Sequence, residues 1–172
     1  MKKIVYLITF LALIVACSNE NSNSEGLNAK QKLEFSAKNF VNSTIAYDNK
    51  GEITFGVTKD ELYNSFNAYA TKFEIGSHAE SYLIEDIDGK NYIRFYHKSN
   101  NGLEQVSTIA LIKNKNKDSS LITYRSGRTV CTTIECANCC GCIPDGDYCT
   151  KCEIAHLDCK RTTTGGSDPI SE

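Results

Sequence analysis

The chain lacks the local sequence signatures of the common enzyme classes. It has no Gly-x-Ser-x-Gly elbow, no His-Glu-x-x-His helix motif, no Walker-type phosphate loop and no dinucleotide-binding glycine pattern. Its Asp, Glu and Ser residues are scattered, so the sequence assembles neither an acid–base pair nor a catalytic triad. His78 and His97 have no carboxylate or cysteine at metal-ligand spacing beside them, and we interpret both as structural. No catalytic residue is predicted, and an enzyme is only an alternative.

An excess of positive charge is also missing, as is a long hydrophobic run. Two of the 19 basic residues, Lys2 and Lys3, lie in a segment expected to be removed; the rest of the chain keeps all 21 acidic residues and a net charge of −4. Nucleic acid is therefore not an expected partner. The apolar segment from Ile4 to Val15 is too short to span a bilayer comfortably as a helix.

The N-terminus has the pattern of an export signal. Lys2 and Lys3 precede the apolar segment, which ends in a small residue, Ala16. The tetrapeptide Ile14-Val15-Ala16-Cys17 resembles the lipobox of bacterial lipoproteins at all four positions. This resemblance implies that residues 1–16 are a signal peptide and that Cys17 becomes the diacylated first residue of the mature protein. The expected partner of the chain is thus a membrane, reached through an N-terminal lipid anchor.

Residues 17–30 are predicted to form the lipidated cysteine and a disordered tether, because almost no apolar side chain is available there for burial. In lipoproteins of the familiar Gram-negative kind, a residue other than Asp after the lipidated cysteine goes with sorting to the outer membrane, and here that residue is Ser18. The Asn/Ser-rich tether with Glu20 and Glu25 also resembles the export signals of surface lipoproteins in Bacteroidetes-type bacteria. The expected location is the cell envelope, at the periplasmic or surface face of the outer membrane.

Residues 31–128 are predicted to form an α+β domain. Thr58 and Glu61 make a capping box that begins a helix, and Leu62, Phe66 and Tyr69 start its apolar stripe. Alternating apolar residues and turn signals predict strands at 44–47, 52–55, 81–87, 92–98, 106–112 and 121–124. The Asp88-Gly89 pair is a strong hairpin signal. We expect the last four strands to form an antiparallel meander with the helix packed on it.

Residues 129–160 are predicted to form a small cysteine-rich module, followed by a disordered tail at 161–172. Eight cysteines lie within 29 residues: Cys131, Cys136, Cys139, Cys140, Cys142, Cys149, Cys152 and Cys159. The segment has few bulky aliphatic residues, so burial alone does not offset its backbone entropy, and cross-links must hold it.

Three kinds of cross-link fit the cysteine spacing. Disulfides are favoured because the number is even and the chain is exported, although eight cysteines allow 105 pairings. Zinc is the alternative cofactor, held by the two C-x-x-C pairs Cys136/Cys139 and Cys149/Cys152. A third possibility is an iron–sulfur cluster, because residues 131, 136 and 139 have a ferredoxin-like spacing. We expect disulfides and no cofactor, and a module that loosens by itself under strong reductant.

The segment from Cys142 to Cys152 and the stretch Asp158-Cys159-Lys160-Arg161 resemble small cysteine-rich lipoproteins of Bacteroidetes-type bacteria. That resemblance implies no particular activity. The sequence thus predicts a lipid-anchored cell-envelope protein with a binding or structural role, and it leaves a protein or glycan partner open. A zinc-binding envelope lipoprotein and a small envelope enzyme are the alternatives.

Overall fold

The computed structural model describes residues 39–115, 121–134, 136–137, 141–150 and 158–164. The elements are β1 (Thr44–Asn49), β2 (Glu52–Phe55), α1 (Lys59–Lys72), β3 (Ser81–Ile87), β4 (Lys90–Lys98), β5 (Glu104–Lys115), β6 (Ile122–Thr133), β7 (Pro144–Asp145), β8 (Tyr148–Cys149) and β9 (Lys160–Thr163). The predicted α+β class is confirmed. The signal peptide, Cys17, the tether, Cys139, Cys140 and Cys152 lie outside the described residues.

The strands from β1 to β6 and β9 form one antiparallel sheet that is larger than the predicted four-strand meander. Its order is β2-β1-β6-β5-β4-β3, so β3 to β6 do pair in chain order, but the β1–β2 hairpin and β9 extend the sheet beyond them. The β3–β4 hairpin turns at Asp88 and Gly89, both with positive φ, as the Asp-Gly signal indicates. A short β7–β8 hairpin forms a separate two-stranded sheet.

Helix α1 begins where the capping box predicts. The Thr58 side chain accepts a hydrogen bond from the Glu61 amide, and the Glu61 carboxylate accepts one from the Thr58 amide. This reciprocal pairing satisfies backbone donors that a helix start leaves without partners. These hydrogen bonds also lower the pKa of Glu61, because they favour its charged form.

The apolar stripe of α1 packs on one face of the sheet and forms the core. The Phe66 ring stacks on Phe95 of β4 with centroids 4.3 Å apart, and Phe40 meets both rings edge-on at 5.3 Å. Burial of an aromatic side chain of this size contributes about 1.5–3 kcal/mol. Among the described residues, no helix is both long and apolar enough to cross a bilayer.

Strand β6 is longer than predicted, and along one edge it pairs with two different strands, β1 and β9. Its first half pairs with β1 at residues 123–125, and its second half pairs with β9 at residues 129–132, with irregular register around residues 126–129. Two predictions are therefore wrong. The boundary placed between residues 128 and 129 falls inside a strand, and residues 161–163 belong to β9 instead of a disordered tail. The polar residues of β9 can form a strand because their backbone groups make hydrogen bonds with β6.

The face of the sheet opposite α1 is covered by the cysteine-rich segment, a name that we give to the described residues 134, 136–137 and 141–150. Tyr92, Arg94, Val106 and Thr108 alternate with the core residues and point away from α1, yet all four are buried. Gly141 lies directly against the side chains of Arg94 and Val106. The sheet is thus covered by a helix on one face and by the cysteine-rich segment on the other.

Candidate functional site

Two pairs of cysteines attach the cysteine-rich segment to the sheet. Cys131 of β6 is bonded to Cys149 of β8, and Cys142 is bonded to Cys159, which directly precedes β9; the Cα–Cα distances are 5.7 and 6.0 Å. Both distances lie in the normal range for disulfides. Cys136 is disulfide-bonded as well. The prediction of a disulfide-rich, cysteine-rich protein is confirmed to this extent.

The zinc alternative is only partly within the described residues. Of its four ligands the structure describes Cys136 and Cys149, and both are disulfide-bonded. Within the described ranges, no group of three or more His, Cys, Asp or Glu residues is arranged to hold a metal ion.

Polar contacts join the tip of the β7–β8 hairpin to the sheet beside the disulfides. Arg128 of β6 forms an ion pair with the Asp147 carboxylate. Arg161 of β9 donates from Nη1 to the Asp147 carbonyl at 2.9 Å, and its guanidinium lies over the Tyr148 ring at 5.3 Å from the centroid. The tip is therefore held by two neighbouring strands, β6 and β9.

A concave feature that we consider for binding lies beyond the C-terminal end of α1. This end pocket has a volume of about 310 Å³. Its walls come from five separate stretches of the chain: Glu74, Ile75 and Gly76; Ser99, Asn100 and Asn101; Gln105; Thr132, Thr133 and Ile134; and Asp158 and Lys160. Most of these residues present hydroxyl, amide or charged groups.

A buried chain of hydrogen bonds runs from the wall of the end pocket into the core. Gln105 Nε2 donates to the Ile75 carbonyl and lies 3.0 Å from His97 Nδ1; His97 Nε2 lies 2.8 Å from Ser107 Oγ, which lies 2.7 Å from Thr132 Oγ1. Because Gln105 Nε2 is a donor, His97 accepts at Nδ1 and carries its proton at Nε2, toward Ser107. This arrangement is the reverse of a histidine that activates a serine.

His97 stays neutral in this chain. Burial lowers the pKa of His97 from 6.5 to about 4, while the Lys98 backbone and the charge of Glu80 act weakly in the opposite direction. Ser107 is fully buried, so it offers no surface to a substrate. His97 thus lies in the core, where its two ring nitrogens face Gln105 and Ser107.

Asp158 and Lys160 of the end pocket hold its walls together. The Asp158 carboxylate accepts hydrogen bonds from Thr133 Oγ1 and from the Ile134 amide, the latter at 2.7 Å. The Lys160 ammonium donates to the carbonyls of Phe73 and Glu74, each at 3.3 Å, just beyond the last turn of α1. These contacts join β9 and the residues just before it to the end of α1 and to the end of β6.

The fold and the cysteine pairs define a small disulfide-containing α+β domain with a pocket at one end of its helix. No protein-family model, no curated protein and no solved structure matches the chain.

Proposed function

We propose that this protein is a lipid-anchored cell-envelope lipoprotein that binds a small polar ligand in the end pocket. The lipobox-like residues Ile14 to Cys17 support the anchor, since acyl chains on Cys17 bind a membrane at about 0.8 kcal/mol per buried CH₂. The tether then holds the domain at the outer membrane, at its periplasmic or surface face. The cysteine pairs support an oxidising compartment, where disulfides persist.

The observation that carries the binding role is the lining of the end pocket. A cavity of about 310 Å³ falls at the lower limit of small-molecule sites, which span about 300–1,000 Å³. Its lining includes Ser99, Asn100 and Asn101, whose hydroxyl and amide groups are of the kind that binds sugars or amino-acid-sized molecules through directed hydrogen bonds. We therefore propose a ligand of that size that carries several hydrogen-bonding groups.

Ligand-observed NMR on the full mature chain tests the binding role. Monosaccharides and free amino acids are the probes, and we expect saturable line broadening for at least one of them. The variant Asn101→Trp, which places a large ring among the residues lining the pocket, should abolish the signal. Asn49→Trp is the matched control, because Asn49 is equally exposed but lies beside the β1–β2 turn. If both variants bind a probe equally well, the ligand does not occupy this pocket. If the parent chain binds none of the probes, the proposed binding role is wrong.

Membrane fractionation tests the anchor separately. Cys17→Ala should leave the precursor uncleaved and poorly retained with membranes, whereas Ser18→Ala should behave like the parent chain. Membrane retention of the Cys17→Ala protein at mature mass would rule out lipidation at this residue.

The alternatives of zinc binding and catalysis make different predictions. Zinc held by thiolates of Cys136, Cys139, Cys149 and Cys152 would give stoichiometric metal and a fold that chelators disrupt. Fully disulfide-bonded cysteines would instead lower the intact mass by eight hydrogens relative to the reduced chain, one for each cysteine from 131 to 159. An enzyme would require turnover of the bound probe, which the same NMR samples reveal.

A further inference from the structure

The tyrosine at the tip of the β7–β8 hairpin is the most exposed large apolar side chain in the part of the chain that the structure describes. Tyr148 keeps 71% of its surface accessible. The Arg161 guanidinium lies over the ring, 5.3 Å from its centroid. Because this guanidinium covers only one face of the ring, an accessible fraction this high requires that the opposite face is open to solvent.

The Tyr148 ring is held in place although it faces solvent. The residue before it, Asp147, forms an ion pair with Arg128 of β6, and the residue after it, Cys149, is bonded to Cys131 of the same strand. Arg161 also donates to the Asp147 carbonyl at 2.9 Å. The backbone on both sides of Tyr148 is thus fixed to the sheet. A ring that is already ordered loses little conformational entropy when it binds a partner.

Two exposed polar side chains lie beside the ring. Asp145 is the register partner of Tyr148 in the hairpin, so both side chains are on one face, with Cβ atoms about 4.5–5.5 Å apart. The Asp145 carboxylate makes no hydrogen bond or ion pair with the described residues. Arg161 donates only from Nη1 to a described residue, and a guanidinium carries about five N–H groups. An acceptor and several donors therefore lie next to an open aromatic face.

The surroundings of Tyr148 do not fit a protein interface. The other large apolar side chains that are more than half exposed in the described ranges, Leu83 and Leu103, belong to β3 and to the turn before β5. The neighbours of the ring at the hairpin tip are polar residues and Gly146. Stable protein interfaces bury about 1,200–2,000 Å² around an apolar centre, whereas one aromatic side chain supplies about 150–250 Å².

A sugar matches the three groups at the tip. A pyranose ring has a face that consists mainly of C–H groups and an edge of hydroxyls. The C–H groups carry a slight positive charge, which suits the negative face of an aromatic ring. The hydroxyls can donate to the Asp145 carboxylate, and the sugar oxygens can accept from the Arg161 guanidinium.

We propose that Tyr148 is the stacking platform of a glycan-binding surface at the hairpin tip. Asp145 accepts hydrogen bonds from sugar hydroxyls, and Arg161 supports the ring from behind and donates to sugar oxygens. This glycan platform, which consists of Asp145, Tyr148 and Arg161, is separate from the end pocket, because none of its three residues lines that pocket.

NMR of the full mature chain with isotope-labelled tyrosine rings tests the glycan platform. The probes are methyl β-D-galactopyranoside and methyl β-D-glucopyranoside, and mannitol is the reference because it has the hydroxyls of a sugar but no pyranose ring. We expect a saturable shift of the Tyr148 ring signals with at least one glycoside and no comparable shift with mannitol. The C–H protons of the bound glycoside should move upfield, because they lie over the aromatic ring.

Variants at exposed positions separate the ring from its polar neighbours. Tyr148→Ser should abolish the upfield shift of the glycoside protons, whereas Tyr148→Phe keeps the ring and should preserve it. Asp145→Ala should weaken the affinity roughly tenfold, as expected for a lost hydrogen bond to a charged group. Leu103→Ser is the matched control, because it removes an exposed apolar side chain elsewhere and should leave binding unchanged.

The variant Asn101→Trp distinguishes the glycan platform from the end pocket. Glycoside binding that survives Asn101→Trp and disappears in Tyr148→Ser supports the platform. The reverse result assigns the glycoside to the end pocket and overturns the platform. The proposal is also wrong if neither glycoside shifts the Tyr148 ring, or if mannitol shifts it equally. A ring that responds to a lysine tripeptide and not to the glycosides would replace the glycan with a basic protein partner.

Discussion

At the scale of single residues, His97 shows how a buried hydrogen-bond chain makes stability depend on pH. Its two ring nitrogens lie 3.0 Å from Gln105 and 2.8 Å from Ser107. A second proton would leave the Nδ1–H facing the amide donor of Gln105, so the charged form loses a hydrogen bond in addition to its hydration.

Lowering the pH should therefore destabilise the protein through His97. Its folded-state pKa is about 4 and its ordinary value 6.5, so between these two pH values the unfolded chain binds a proton that the folded chain does not. The free energy of unfolding should fall across this window by at most roughly 3 kcal/mol. Urea titrations from pH 7 to 4 check this. His97→Gln should flatten the profile, and the exposed His78→Gln should not; equal profiles for all three proteins would contradict the assignment.

Gly76 lines the end pocket at a position where a side chain would have no room. It has a φ of +132°, and a Cβ there would collide with the Gln105 amide, the Lys98 carbonyl and His97 Nδ1. Gly76 therefore allows the chain to leave α1 directly over the buried hydrogen-bond chain.

Gly76→Ala should lower the free energy of unfolding more than the same substitution at a glycine that has a positive φ but no close neighbours. Gly51 is the matched control, because its φ is +94° and no atom lies near its added Cβ. We expect about 1 kcal/mol for Gly51→Ala from backbone strain alone, and at least about 2 kcal/mol more for Gly76→Ala from the collisions. Chemical denaturation measures both, and similar losses would show that the surroundings of Gly76 adapt.

At the scale of elements, strand β9 connects the sheet to the helix that covers it. Thr162 pairs with Val130 of β6, and its hydroxyl accepts a hydrogen bond from the Tyr69 hydroxyl of α1 at 2.7 Å. Burial raises the pKa of Tyr69, and the bond to Thr162 acts against that rise. Lys160 binds the carbonyls at the end of the same helix.

Removing the Thr162 hydroxyl should loosen the contact between β9 and α1. Thr162→Val leaves the buried Tyr69 hydroxyl with only the Thr162 carbonyl at 3.4 Å, and we expect a loss of about 1 kcal/mol. Thr163→Val is the control, since that side chain points to the other face, its hydroxyl makes only a long contact of 3.4 Å to Thr129 Oγ1, and valine suits a strand. Calorimetry should show a lower Tm for Thr162→Val than for Thr163→Val. Equal Tm values would mean that the hydrogen bond between the Tyr69 and Thr162 hydroxyls contributes nothing to stability.

The sequence predicts those elements whose signals are local. The Thr58–Glu61 cap and the Asp88-Gly89 turn act within a few residues, and α1 and the β3–β4 hairpin form where they indicate. The second half of β6 has no such signal, because Ser126-Gly127-Arg128 resembles a turn and becomes a strand only through its partners β5 and β9. The end pocket likewise escapes prediction, since its residues come from five stretches that only the folded chain brings together.

At the scale of the whole molecule, the cysteine-rich segment behaves as one layer of the domain. It covers Arg94 and Thr108, its hairpin contacts β5 and β6, and Cys131 lies within the sheet itself. A module that loosens by itself, as the sequence suggested, would expose this buried face to water. The free-energy cost of that exposure couples the segment to the core.

Loss of either disulfide should therefore lower the stability of the whole domain in one transition. The two bonds close loops with sequence separations of 18 and 17 residues, and each should contribute roughly 3 kcal/mol. We expect the paired variants Cys131→Ala with Cys149→Ala, and Cys142→Ala with Cys159→Ala, to unfold at lower temperature than the oxidised parent.

Backbone circular dichroism and tyrosine absorbance should give the same midpoint, because cooperative unfolding affects both probes together. Since β9 follows Cys159 directly and carries the contacts to Tyr69, the second pair should have the larger effect on the tyrosine signal. Two separate transitions would instead mean that the segment is an independent module that the disulfides merely attach to the sheet.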